Sequence, residues 1–176
     1  TYGLASLFGI IPVSLTLDHP GPLTRSVYDV AVTMDYITGY DPKDPCLGRY
    51  KGEKIDFSEG LDKIEDLKGI KIGVPTNFYF DKTDYEIEKL VRNAISDLEK
   101  LGAQIIDIEI PLLDRVPEVS TIILFSDAAA YHKDNLKSIS RLDEYTPAVR
   151  KRLEQGMSYK ATDYISAIQG REKIVN

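Results

Sequence analysis

The sequence contains few of the residues whose chemistry most often identifies a function. Its 176 residues include one cysteine, two histidines and no tryptophan. The single thiol of Cys46 excludes an internal disulfide, and one thiol with two distant histidines falls short of the ligands that a zinc site needs. Acidic residues outnumber basic ones by 28 to 22, a formal net charge of −6. We therefore expect no direct binding to nucleic acid or to an anionic membrane, since either surface attracts a basic patch.

Long apolar runs are missing too. No stretch approaches the roughly 18–20 apolar residues of a membrane span. The apolar start TYGLASLFGIIPVSLTL lacks a basic segment and is interrupted by Pro12, which is not typical of a signal peptide. The proportions of hydrophobic (43%) and charged (28%) residues are ordinary for a soluble globular domain, so we expect a cytoplasmic protein.

The two ends of the chain indicate a piece of a longer domain. The chain opens at Thr1 without a methionine, and an apolar helical pattern is still running where it stops at Asn176. A length of 176 residues is that of one domain. We expect residues 1–176 to form a single partial domain, with an upstream segment and a C-terminal part absent.

Local signals organise the N-terminal part of the chain. Residues 10–17 have the pattern of a strand edge or extended segment, and a Pro-Gly-Pro turn follows. Ser26 is suited to cap a helix with Asp29 at its third position, and apolar residues then recur at helical spacing as far as Ile37. The stretch 40–66 is rich in Asp, Pro, Gly and Lys, which predicts a loop.

The middle of the chain predicts a strand–helix–strand unit. The runs GIKIGVP (residues 69–75) and AQIIDIEIP (residues 103–111) are typical of short buried strands. Between them, Thr83 and Glu86 have the spacing of a capping box at the start of a helix over 84–101. That order predicts parallel strands joined by a right-handed crossover. The helix should pack on the sheet through one apolar stripe, which consists of Ile87, Leu90, Val91, Ala94, Ile95, Leu98 and Leu101.

The remainder of the chain is predicted to be helical. One helix lies near residues 118–138. A second is capped at Thr146-Pro147 and ends near Gly156, and a third begins after Thr162. The predicted fold class is therefore α/β, with a βαβ unit at 69–111 and a mostly helical second half.

The two histidines are the first candidates for acid–base chemistry. Asp18 and His19 could form a pair, but adjacent residues on an extended chain point to opposite faces, and Pro20 restricts His19 to an extended conformation. A turn that leads into the helix after Ser26 is the favoured interpretation. His132 lies within a predicted helix, where a solvated or partner-bonded ring is the more common case.

Two further features have weaker links to function. The segment GVPTNFYFDKTD follows a predicted parallel strand, where α/β proteins place ligand loops, but it lacks the glycine spacing of a phosphate site. Arg141 precedes a predicted helix and has acids nearby, so a surface ion pair is its ordinary interpretation. No motif in these residues alone identifies a reaction.

Several stretches together do resemble a known family. TYG, then SLTLDHPGPLTRSVYDVAVTMDYITGYDPKDP, then LKGIKIGVP are similar to the region just downstream of the nucleophile in the amidase signature family. That family has a Leu-Asp pair with Gly-Pro shortly after it, a Thr-Arg-(Ser/Thr)-Val-x-Asp helix start and a Gly-x-Asp-Pro-x-Asp loop. The matching positions here are Leu17, Asp18, Gly21, Pro22, Thr24, Arg25, Ser26, Val27, Asp29, Gly39, Asp41, Pro42 and Asp44. EYTPAVRKRLEQG followed by ATDYISAI resembles a later segment of the same family.

The resemblance implies the mixed-sheet amidase signature fold and an amide C–N hydrolase with a Ser–cis-Ser–Lys triad, without metal or organic cofactor. In the family, both serines lie in a Gly-Gly-Ser-rich stretch shortly before the TYG position, and the lysine lies further upstream. This sequence contains no Gly-Gly, and none of its serines has such a setting. We therefore expect the triad upstream of Thr1 and no catalytic residue in this chain, which should be inactive by itself.

The resemblance also makes Arg141 a candidate substrate-binding residue. In the glutamine-dependent tRNA amidotransferase members of the family, an arginine just before an EGFG loop holds the substrate carboxylate. Alignment of that loop with DEYTP places Arg141 at the arginine. The two glycines of the loop are absent, with Tyr145 and Thr146 near their place, so a structural ion pair stays open as the alternative.

The expected partner of the intact enzyme is a small-molecule amide. The alternative function is a non-catalytic α/β binding or interaction module that shares the scaffold. Because missing upstream strands would leave a sheet edge and an apolar face uncovered, we also expect the chain either to self-associate or to retain a companion segment.

Overall fold

The computed structural model describes residues 2–46, 51–137 and 143–175. Within these ranges the chain has five α-helices and one two-stranded sheet, which confirms the predicted α/β class. None of the described helices is both long enough and apolar enough to cross a membrane.

Contacts within the chain divide it into two compact units. The helical unit consists of Thr1–Glu59 and Pro117–Asn176, and the sheet unit is Gly60–Val116. The described part of the predicted loop over 40–66 contains no strand and one short 3₁₀ helix, Leu61–Lys63. The assignment of the whole chain to one partial domain stays a prediction.

The sheet unit is a strand–helix–strand segment. β1 (Lys71–Pro75) is followed by α2 (Tyr85–Lys100) and then by β2 (Gln104–Ile108). The two strands are parallel and in register from end to end, so that their first residues face each other and so do their last. This pairing confirms the predicted parallel strands, although each strand is shorter than the apolar run that predicted it.

The cap of α2 differs from the prediction by one residue. The N-cap is Asp84, whose carboxylate accepts the backbone N–H of Glu86 at 2.9 Å. The hydroxyl of Thr83 instead donates to the carbonyl of Tyr79. The predicted capping box of Thr83 with Glu86 is therefore wrong. A charged acceptor was available one residue further on, and a negative charge is favourable against the helix dipole.

The apolar stripe of α2 is largely uncovered, which contradicts its predicted packing. Ile87, Leu90 and Val91 are 56%, 69% and 42% exposed, and only Ile95 and Leu98 of the five predicted packing residues are half-buried. The physical reason is the size of the sheet: two strands of five residues present too little surface to cover a helix of 16. Leu90 is therefore not a core residue in this chain.

The other four helices are α1 (Val27–Ile37), α3 (Val116–Leu136), α4 (Pro147–Ser158) and α5 (Ala161–Val175). All but the first residue of α3 belong to the helical unit. The predicted helices are confirmed, with ends that move by one to two residues, as is usual at frayed termini.

Side-chain caps set two of these starting points. Ser26 accepts the backbone N–H of Asp29 at 3.1 Å, and Thr146 accepts that of Val149 at 3.4 Å. Each hydroxyl satisfies one of the N–H groups that a helix leaves unpaired at its start. Both caps were predicted from the sequence and are confirmed.

The core of the helical unit lies between α3 and α5. Val119, Ile123 and Ala167 are buried there, with Ile123 fully inaccessible to solvent. α4 approaches α3 closely at Gly156, where an added Cβ would lie 1.9 Å from the carbonyl oxygen of Phe125. Only glycine permits that distance, so Gly156 sets the separation of the two helices.

Residues 10–17 do not form the predicted strand edge. The backbone N–H groups of Leu17 and Asp18 both bond to the carbonyl of Ser14, which folds this segment into a tight turn. In the part of the chain before residue 46, the structure has one isolated antiparallel β-bridge among the described residues, between Ala5 and Thr38. The prediction failed because alternating apolar residues occur in turns as well as in strands. Here the local hydrogen bonds to the carbonyl of Ser14 favour the turn.

A pair of truncations tests the difference between the two units. Ile123→Ala should lower the free energy of unfolding by about 2–5 kcal/mol, because it opens a cavity in the core. Leu90→Ala should change it by only about 0.5 kcal/mol, because that side chain is mostly in solvent. Urea unfolding followed by circular dichroism measures both. A cost for Leu90→Ala equal to that of Ile123→Ala would show that α2 is covered in solution.

Candidate functional site

The helical unit contains a cleft of about 340 Å³ between the turn at residues 12–16 and α3. We call it the Asp127 cleft, because the carboxylate of Asp127 lies in its wall. Its lining residues are Pro12, Val13, Leu15, Thr16, Pro45, Asp127, Ala130 and Tyr131. Most of this surface is apolar, with the carboxylate as its one ionisable acid among the described residues.

Asp127 binds the turn to α3. Its Oδ2 accepts the hydroxyl of Ser14 at 2.5 Å and that of Thr16 at 2.9 Å. Ser14 is only 1% exposed, so its hydroxyl needs a partner inside the protein. Hydrogen bonds to a charged acceptor are short and strong, and these two hold one wall of the cleft against the other.

Tyr164 of α5 donates a third hydroxyl to the same carboxylate, at 2.8 Å from Oδ1. Partial burial, followed by the hydrogen bond to Asp127, raises the pKa of Tyr164 to about 12. Nearby on α5, Nη1 of Arg171 donates to the carbonyl of Thr16 at 3.3 Å. One carboxylate thus joins the turn, α3 and α5.

Asp18 and His19 have structural partners, in agreement with the predicted turn. The two oxygens of Asp18 accept the backbone N–H groups of Val13 and Ser14 at 2.9 and 3.1 Å. Nδ1 of His19 lies 2.6 Å from the carbonyl oxygen of Leu17. The carboxylate closes the turn that forms one wall of the cleft, and the pair does not share a reacting atom.

His132 is partner-bonded, as predicted. Its Nδ1 lies 2.8 Å from the hydroxyl of Tyr145, which also accepts the side-chain amide of Asn135 at 3.1 Å. The rings of Tyr131 and Tyr145 both meet the imidazole edge to face. These contacts hold the start of α4 beside the end of α3.

Arg141 lies outside the described residues, so its role stays a prediction. The expectation that the chain contains no catalytic residue also stays a prediction. Among the hydroxyls that the structure describes, that of Ser14 is buried and donates to a carboxylate. Because Ser14 is only 1% exposed, its oxygen is not accessible to a substrate in this arrangement, and its bond to Asp127 is structural.

Sequence reasoning missed the Asp127 cleft. Ser14 and Asp127 are 113 positions apart, so no local pattern connects them. One signal was available: Asp127 interrupts the apolar run IILFSDAAAY of α3, and an acid in such a run needs a buried partner. Hydroxyls in SLTLD at alternate positions are natural partners for it.

The described part of the chain also has two other large concave surfaces. A cleft of about 390 Å³ in the helical unit contains Asp35, whose pKa is lowered by the backbone N–H that Phe57 donates at 2.6 Å. A groove of about 420 Å³ in the sheet unit is lined mainly by apolar residues of β1 and α2. In the described ranges no three acid, histidine or cysteine side chains form a group that could hold a metal ion.

Asp127→Asn tests the junction. An amide has one acceptor oxygen where the carboxylate has two, so at least one of the three hydroxyls loses the oxygen to which it donates. The free energy of unfolding of this variant should be about 1–3 kcal/mol lower than that of the unchanged chain. Asp134→Asn is the matched control on the same helix, since Asp134 forms an exposed ion pair with Lys137 and should cost less than about 1 kcal/mol. Equal costs in urea unfolding would contradict the assignment.

The pKa of Tyr164 makes stability depend on pH at the alkaline end. Its proton is held more tightly in the folded chain, so this contribution is intact below the ordinary tyrosine value of about 10. It is lost as the pH rises through about 12. In a titration at 295 nm, Tyr164 should give a late component, and Tyr164→Phe should remove that component. Tyr36→Phe, which removes an exposed phenol, should leave it unchanged.

Comparison with known proteins connects this geometry to a family. The Amidase family model matches residues 1–174. An amidase of Pseudomonas putida is 39% identical over 168 residues, covering 95% of this chain and 34% of that protein. A glutamyl-tRNA(Gln) amidotransferase chain of Desulfotalea psychrophila is 36% identical over 154 residues, covering 82% of this chain and 31% of that protein.

A solved structure agrees with these relatives. A crystal structure of an amidase superposes with a TM-score of 0.75 at 29% identity, covering 98% of this chain and 35% of that one. The chain therefore spans about a third of the length of the proteins that it matches. A family model that matches nearly every residue, with a shared fold over the same span, establishes that the chain belongs to the amidase signature family.

Proposed function

We propose that the protein to which this chain belongs hydrolyses the C–N bond of a linear amide. The observation that carries the proposal is the Amidase match over residues 1–174, supported by 39% identity to the Pseudomonas putida amidase. The TYG, LDHPGP, TRSVYD and GYDPKD motifs lie in that span. Since the chain spans about a third of these relatives, activity is proposed for the longer protein. We propose a cytoplasmic location for that protein, on the basis of the composition of this chain.

We propose that the catalytic residues and the scaffold that positions them lie in different parts of the longer protein. The nucleophile, the bridging serine and the lysine lie outside this chain, upstream of Thr1, where glycine-rich backbone would supply N–H groups to the oxyanion. This chain contributes the turn at residues 12–16 and the helices that hold it. Asp18 closes the turn and Asp127 fixes it to α3, so both act as positioning residues.

The activity assay compares this chain with a longer protein that includes the upstream segment. We expect the 176-residue chain to leave a panel of aryl amides unhydrolysed, because we propose that the nucleophile and its base lie upstream of Thr1. The longer protein should turn them over, and replacement of its triad serine should abolish turnover. Turnover by the short chain that is lost with one of its own serines would contradict the location of the triad. Inactivity of both proteins would favour the alternative, an interaction module on the same scaffold.

Arg141 has two proposed roles, which a pair of variants in the longer protein separates. If its guanidinium holds a substrate carboxylate, Arg141→Gln should raise KM for a carboxylate-bearing amide about tenfold or more, and Arg141→Lys should recover only part of the loss. The KM for a neutral amide should not change. If Arg141 forms only an ion pair, both substrates should be unaffected, and the stability change should stay below about 1 kcal/mol.

A further inference from the structure

The GYDPKD motif at residues 39–44 follows α1 and contains a buried acid. Asp44 is 5% exposed, and it is the one carboxylate that is buried among the described residues. A buried carboxylate is costly unless nearby groups donate hydrogen bonds to it, so its donors show which part of the fold it stabilises.

Asp44 joins the start of the chain to the loop after α1. Its Oδ1 accepts the backbone N–H of Leu7 at 3.2 Å and that of Cys46 at 2.9 Å. Leu7 and Cys46 are buried too, so both N–H groups need a partner inside the protein. A carboxylate gives these donors a stronger bond than a neutral acceptor would, and the bond to Leu7 connects residues that are 37 positions apart.

Leu4 and Ala5 are held to the same loop through their backbones. The carbonyl of Leu4 accepts the N–H of Gly39 at 3.0 Å, and Ala5 pairs with Thr38 in the antiparallel bridge. Both Leu4 and Ala5 are buried. The loop therefore meets the start of the chain at several successive residues and not at Leu7 alone.

Ser6 is held through its side chain. Its hydroxyl donates to Oδ2 of Asp41 at 2.7 Å and accepts the backbone N–H of Phe8 at 3.0 Å. The other oxygen of Asp41 accepts the N–H of Lys43 at 2.9 Å, which fixes that carboxylate within its own loop. Residues 4–7 thus each contact one residue of the loop. We call these loop residues the N-terminal clamp; they are Thr38, Gly39, Asp41 and Asp44.

The N-terminal clamp fixes a direction as well as a position. Residues 4–7 lie outside every described helix and strand, so no backbone ladder defines their path. A single attachment would allow this segment to pivot, whereas attachments at four consecutive residues restrict it to one path. Leu4 is three residues after Thr1, a span of at most roughly 11 Å, so movement at the clamp is passed to the chain upstream.

We infer that the N-terminal clamp positions the segment that enters at Thr1, and with it the serine nucleophile, relative to the bound amide. This inference rests on the proposed amide hydrolysis, in which the nucleophile lies upstream of Thr1. Asp44 is the principal positioning residue, since it is buried and its carboxylate joins Leu7 to the loop. Attack on a carbonyl requires close alignment, and a displacement of about 1 Å can lower the rate about 100-fold.

Kinetics of the longer protein test the role of Asp44. Asp44→Ala should lower kcat about tenfold or more and change KM by less than about twofold, because the nucleophile is displaced while the substrate still binds. Asp44→Asn keeps an acceptor oxygen for the two N–H groups and should recover most of the rate. An unchanged kcat in a folded Asp44→Ala protein, or an Asn variant no faster than the Ala variant, would overturn the inference.

Asp35→Ala is the matched control. Asp35 also accepts a backbone N–H from a loop, that of Phe57 at 2.6 Å, and it lies on α1 in the same unit. That bond fixes the chain after the clamp and not its start, so kcat should stay within about twofold of the unchanged protein. Thermal melts show whether each variant is folded. An equal loss of kcat in a folded Asp35→Ala protein would show that any damage to the helical unit slows the reaction, and would contradict the assignment to the clamp.

Hydrogen exchange measured by mass spectrometry tests the clamp without activity. In the longer protein, Asp44→Ala should speed exchange in peptides that cover residues 2–8 and the segment just upstream of Thr1, and leave those of α5 unchanged. Ser6→Ala removes one attachment and should give the same pattern to a smaller extent, so it repeats both measurements if Asp44→Ala unfolds. Unchanged exchange upstream of Thr1 would overturn the inference. An inactive longer protein would contradict the proposed hydrolysis, and exchange alone would then decide whether the clamp orders this segment.

Discussion

The helical unit depends on one carboxylate that accepts hydrogen bonds from three hydroxyls, which come from two other segments of the chain. Ser14 and Thr16 come from the N-terminal turn, Tyr164 comes from α5, and Asp127 itself belongs to α3. These segments are far apart in the chain, so the hydrogen bonds to this carboxylate hold them together. A partly buried charge is costly unless it is hydrogen-bonded, and here the bonds that satisfy it also build the unit.

The cleft is a geometric result of this junction. A turn closed by Asp18 and held by Asp127 keeps Val13 beside Ala130, with space between them. The same carboxylate joins the turn, α3 and α5, so a change at Asp127 affects all three at once.

Local chemistry was predicted well from the sequence. Ser26 and Thr146 cap helices because a hydroxyl at those places satisfies a free N–H, which depends on a few neighbouring residues only. The parallel pairing of β1 with β2 followed from the order of strand, helix and strand. The motif set around LDHPGPLTRSV identified the family before any contact was known.

The predictions that failed have both local and distant causes. The cap of α2 was decided between neighbours, Thr83 and Asp84. The exposure of Leu90 follows from the size of the sheet on which α2 was expected to pack. Local bonds to Ser14 and Asp18 closed the turn within residues 10–17, and Asp127, more than 100 positions away, holds that turn to α3. Periodicity shows which side of a helix is apolar, but it does not show how much surface the rest of the chain offers to cover it.

The close approach at Gly156 has a consequence for how the helical unit opens. α4 touches the backbone of α3 at Phe125, and Tyr145, just before α4, bonds to His132 further along α3. Two separated attachments oppose both sliding and rotation of α4 along α3. If local unfolding breaks both attachments together, the α3–α4 pair opens as one cooperative unit. Amide hydrogens on its inner face would then share one opening free energy in hydrogen exchange.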